Sequence, residues 1–135
     1  MQIINGVKCR TRIESLKHII SQAKKGKIGI NMDKGDKHDL CQYEFNSGNN
    51  CGVGSLFDKK QLAWLKKQEL NESSITYVTQ GFVGKKNIET VTGMKLKELA
   101  HIQHIHDMAK DGQEARIKLT IYCNAQLAKL NEQAQ

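Results

Sequence analysis

The sequence predicts an α+β fold that is mainly helical, with about four helices and a small two- or three-stranded β element. Three observations carry that expectation. Thr11, with Glu14 three residues on, makes a capping box ahead of apolar residues at helical spacing. Two long helical patterns close the chain, separated by the break at Asp111-Gly112. Short alternating stretches near residues 41–57 and 75–79 read as strands. With 135 residues, 39% of them hydrophobic and 26% charged, the chain has the size and composition of one folded domain spanning 1–135.

After the Thr11 cap, Ile13, Leu16, Ile19, Ile20 and Ala23 recur on one stripe until Lys24-Lys25-Gly26 closes a basic amphipathic helix. Residues 26–40 hold three glycines and mixed charges and read as a loop, with a short extended piece at Ile28–Ile30. CQYEF alternates, SGNN is a turn and CGVGSLF follows, which suggests a hairpin or a strand, turn and helix entry. Asp58 is placed to cap a second helix carrying Leu62, Trp64, Leu65 and Leu70. Residues 71–93 are rich in Ser, Thr, Gly and Asn, with SITYV the one strand-like piece. The last two helices are MKLKELAHIQHIHDMAK and EARIKLTIYCNAQLAKLNEQ, and their short connection makes them antiparallel neighbours. Leu16, Ile20, Leu56, Trp64, Leu65, Leu99, Ile102, Leu119 and Tyr122 are the expected core anchors.

No apolar stretch approaches the ~20 residues that cross a bilayer, and the start MQIINGVKCR lacks the apolar region of a secretory signal. A cytoplasmic protein is expected, its four cysteines (Cys9, Cys41, Cys51, Cys123) reduced and too sparse for a disulfide scaffold. The net charge is +7, and residues 8–37 carry nine Lys/Arg against three carboxylates, so the excess is N-terminal. Arg10, Arg12, Lys17, Lys24, Lys25 and Lys27 form the candidate partner-binding face, able to meet an acidic protein or nucleic acid. A solvated helix face with basic residues at its C-terminal end explains the same charges without a partner. The segment has no aromatic residue for base stacking.

Two clusters could carry chemistry. In HIQHIHD, His101 and His104 share a helix face and are the candidate metal ligands, with Asp107 a turn further; a polar helix edge is the plainer reading. Cys51, followed by Gly52-Val53-Gly54, sits where backbone amides can lower a thiol pKa, and His104 or His106 with Asp107 could supply a base. A tightly packed, inert thiol is the alternative. No phosphate loop, dinucleotide fingerprint or Cys-x-x-Cys pair is present, and no cofactor is expected.

Cys41-Gln42-Tyr43, then Gly48-Asn49-Asn50-Cys51-Gly52-Val53-Gly54-Ser55-Leu56-Phe57, and later Leu99-Ala100-His101-Ile102-Gln103-His104-Ile105-His106-Asp107 together resemble uncharacterised small proteins of phages, prophages and plasmids. These carry a C-x-Y, a G-x-x-C-A-V-G-x-L and a downstream L-Q-x-x-H-D helix. The resemblance covers about a third of the chain, and Gly52 stands where those proteins usually have Ala. It implies a mobile-element accessory protein that binds, and so inhibits or modulates, a host or defence protein or ribonucleoprotein. A cysteine-dependent hydrolase or transferase and a nucleic-acid-binding factor remain the alternatives. In each reading the shared Cys and His-Asp could equally be a buried contact fixing the turn against the helix.

Overall fold

A three-residue hairpin precedes the helices. In a computed structural model, which describes residues 2–4, 7–29, 43–44, 49–71, 75 and 85–134, strands β1 (Gln2–Ile4) and β2 (Val7–Cys9) pair antiparallel with Ile3 opposite Lys8. Helices α1 (Arg12–Lys24), α2 (Lys59–Lys67), α3 (Lys85–Thr92), α4 (Leu96–Asp107) and α5 (Gly112–Ala134) follow, with a 3-10 turn at Gly54–Leu56. The fold is therefore mainly helical α+β.

Local sequence dictates the first two caps. The Thr11 hydroxyl accepts the Glu14 N–H at 3.2 Å while the Glu14 carboxylate takes the Thr11 N–H at 3.0 Å. Asp58 and Gln61 repeat the exchange at the start of α2, at 2.8 and 2.9 Å. Each cap satisfies N–H groups that a helix start leaves without internal partners.

Packing supplies the rest. Helix α1 lies chiefly against α5, which also covers α4. Leu16, Ile19, Leu99, Ile102 and Leu119 are fully enclosed in one continuous core with Leu56 and Leu65. Ile20, Trp64 and Tyr122 pack at its edge, half-buried. A polar knot ties three helices together: Arg12 grips Glu98 through Nε and Nη2 at 2.8 and 2.7 Å, and also donates to Gln126 Oε1 at 3.0 Å. Tyr122 Oη donates to the same Glu98 at 2.7 Å.

Among the described residues the strands lie at 2–4 and 7–9, where none was expected, and within the expected hairpin or strand, turn and helix entry the 54–56 stretch is a 3-10 turn leading toward α2. The one ladder contact in that region is an isolated parallel bridge between Ile28 and Asn50, while 41–42, 45–48 and 76–79 lie outside the described residues. Helix α3 occupies the end of the Ser-, Thr- and Gly-rich 71–93 segment, where no helix was expected. It docks through Ile88 and Thr92, the latter accepting the buried Ser15 hydroxyl on its carbonyl at 2.5 Å. Its chain then turns at Gly93, whose φ of +67 and backbone approach to Arg12, 2.5 Å from where a Cβ would stand, exclude a side chain.

Candidate functional site

The bridge between Ile28 and Asn50 aligns two loops beneath α4. The Asn50 N–H donates to the Lys27 carbonyl at 2.9 Å, the Gly29 N–H returns to the Asn50 carbonyl at 3.2 Å, and Arg116 of α5 caps the Ile28 carbonyl at 2.9 Å. The Gly29 carbonyl, thus fixed, accepts a hydrogen bond from His106 Nε2 at 2.9 Å. A carbonyl oxygen only accepts, so Nε2 carries the hydrogen and Nδ1 is turned toward the Asp107 carboxylate, 3.9 Å away.

Cys51 follows Asn50 directly. Its sulfur accepts the Gly54 N–H at 3.3 Å, at the opening of the 3-10 turn. Gly54 is required there, because a Cβ would stand 2.0 Å from the Tyr43 carbonyl oxygen. Tyr43 in turn holds Asn50 Nδ2 on that carbonyl at 2.8 Å and receives Gln103 Nε2 on its hydroxyl at 2.9 Å. Tyr43 is thereby joined to both Asn50 and Gln103, and Cys51 lies within electrostatic range of His106. At Gly52 a Cβ would lie 2.9 Å from Ile102 Cγ2, so the apolar faces of α4 and α5 occupy the room a methyl would take.

Burial decides what this cluster can do. Cys51 is 0% exposed and His106 2%. Burial acts to lower the His106 pKa, but the Asp107 carboxylate, the Cys51 sulfur and the Gly29 carbonyl outweigh it, and the net shift is upward. A backbone N–H on the sulfur and a nearby imidazole are features of a thiolate site, but here Nε2 of His106 is spent on the Gly29 carbonyl and Nδ1 is turned to Asp107. The sulfur is closed to solvent, and the His106–Gly29 bond clasps the loop to α4. His104 is exposed on α4 and His101 is exposed with its ring 5.2 Å from that of Tyr122. Among the described residues, no group of three or more His, Cys, Asp or Glu is placed to hold a metal ion.

The basic face is reorganised by folding. Arg12 turns to Glu98 and Gln126, and Arg10 Nη1 donates to the Leu56 carbonyl at 3.1 Å. Lys17, Lys24, Lys25 and Lys27 remain exposed. A cleft of ≈ 420 Å³ opens between β2, α1, the 3-10 turn and the start of α2, and Lys8, Arg10, Lys27 and Lys59 line it with His18. Two carboxylates also reach it, but Glu44 is paired with Lys66 and Asp58 caps α2. His18 Nε2 lies 3.0 Å from the Ser55 carbonyl. Burial, then the charges of Arg10 and Lys25, lower the His18 pKa against the pull of that carbonyl. Lys8, His18 and Lys59 were not marked by the sequence, because only the fold brings β2, α1 and α2 to one opening. No family model, no curated protein and no solved structure matches the chain.

Proposed function

We propose that this chain acts by binding, its basic face seating an acidic surface of another macromolecule. The observation that carries this reading is the convergence of Lys8, Arg10, Lys27 and Lys59 on one cleft, with Lys25 close enough to act on His18. Cations drawn from separate elements make a concentrated positive field, which steers an acidic partner and speeds its association. The resemblance to small phage, prophage and plasmid proteins supports a host or defence protein as that partner and inhibition or modulation as the result. The test is affinity capture from the native host with wild type and with Lys25→Glu/Lys27→Glu in parallel, followed by association kinetics at rising salt. A partner lost from the variant, with an on-rate that falls as salt rises, is the expected result. An identical set of proteins on both baits overturns the reading, and retention on DNA or RNA with a linear log–log salt dependence moves it to nucleic acid.

One observation favours a second reading. The Gly54 N–H on the Cys51 sulfur, with His106 in electrostatic range and Asp107 beside it, supports a cysteine hydrolase or transferase, in which His106 Nε2 would have to leave the Gly29 carbonyl to serve the sulfur. Alkylation decides between them: an active nucleophile labels rapidly in the folded state, whereas a buried clasp labels only as the protein unfolds.

A further inference from the structure

We propose that the cleft lined by Lys8, Arg10, Lys27 and Lys59 is a binding site for a phosphate monoester, its dianion seated among these cations. This deepens the binding reading and rests on it, since it names the group that the basic face takes from its partner. Three observations lead there. Four cations, from β2, its connection to α1, the loop after α1 and the start of α2, line one cavity, and the two carboxylates in its wall are already engaged by Lys66 and by the α2 backbone. That imbalance suits a dianion better than a single carboxylate. The volume, ≈ 420 Å³, exceeds what a phosphate group needs, and Leu56, Phe57 and Leu62 give an apolar wall for the organic group that carries it.

His18 reports on occupancy. Among the described residues, the groups that face it are cationic: Arg10 and Lys25 act on it directly, and Lys8, Lys27 and Lys59 share its cleft, opposed by the engaged Glu44 and Asp58. These charges disfavour the imidazolium. A bound dianion reverses the local field, so binding draws a proton onto His18, at Nδ1 if Nε2–H stays on the Ser55 carbonyl.

The experiment follows the His18 ring by NMR across pH, without ligand and with saturating inorganic phosphate, a nucleoside monophosphate or a phosphoserine peptide. The uncharged nucleoside and acetate are the controls. Every phosphate monoester that fits should raise the His18 pKa by about one unit, equivalent to a tenfold tighter hold on the protonated ring. Lys27→Glu/Lys59→Glu should abolish the shift while keeping the fold. Binding of the nucleotide alone identifies a small-molecule ligand, and binding of the peptide alone a modified protein. An unchanged His18 titration with all three, or an equal response to acetate, overturns the phosphate assignment. If host capture still depends on Lys25 and Lys27 in that case, the wider binding reading stands; if capture is indifferent to them, both fall.

Discussion

His106 and His18 sit at two loop contacts and accept opposite fates. His106 is enclosed, yet its pKa rises, because Asp107, Cys51 and Gly29 surround it with negative charge and dipole. His18 is only half-buried, yet its pKa falls, because Arg10 and Lys25 add to the effect of burial. Burial pushes both downward, so the sign of the neighbouring charge decides the outcome. The clasp around His106 spends its polar groups on the fold. The cleft around His18 leaves Lys8, Lys27 and Lys59 exposed.

The largest effect expected from breaking this contrast lies in the clasp. Gly54→Ala forces a methyl against the Tyr43 carbonyl and should cost about 3 kcal/mol or more, read as a lowered urea midpoint. Next comes His106→Gln, which loses the bond to Gly29 and should cost about 2 kcal/mol. It should also change the pH profile. With its folded pKa raised, His106 contributes stability that is full below the unfolded value and is lost as pH rises through the folded one, and the variant should lack that alkaline decline. His18, with its folded pKa lowered, has the reverse sign: it favours the fold above its unfolded value, and that contribution is lost as pH falls through the folded one. Urea titrations between pH 5 and 9 separate the two.

Cys51→Ala opens a small cavity and removes the acceptor of the Gly54 N–H, at a cost of roughly 1–2 kcal/mol by denaturant melting. The smallest stability change belongs to the cleft. Lys25→Glu should alter stability by no more than about 0.5 kcal/mol and return the His18 pKa toward its ordinary value, visible in the ring resonances. A loss above 1 kcal/mol in that variant would mean that the cleft, like the clasp, is a structural device.

The parts of the molecule that were legible in the sequence are those whose causes are local. Thr11 with Glu14 and Asp58 with Gln61 announce helix starts within four residues, and both boundaries hold. Helix α3 has no such signature: KKNIETVT is rich in β-branched residues and owes its shape to packing through Ile88 and Thr92. The hairpin did leave a trace, Asn5-Gly6 between Ile4 and Val7, a pairing that commonly joins two strands, but in a stretch too short to stand out. At the sites, Cys51, His106 and Asp107 could be named from their pattern. Arg12 was expected to face a partner, and its engagement by Glu98, 86 positions away, is beyond any local spacing. The cleft escaped notice for the same reason, since its cations come from residues 8 to 59 and share nothing until the chain folds.

The knot of Arg12, Glu98, Tyr122 and Gln126 also sets the order in which this chain can form. Arg12 and Gln126 stand 114 positions apart, and the main support of α1 is α5. Closing a loop of that length costs roughly 2 kcal/mol more entropy than closing one of about ten residues. Helix α1 therefore gains its main cover only when α5 folds back on it, a long-range closure of the kind that slows folding relative to a bundle built from sequence neighbours.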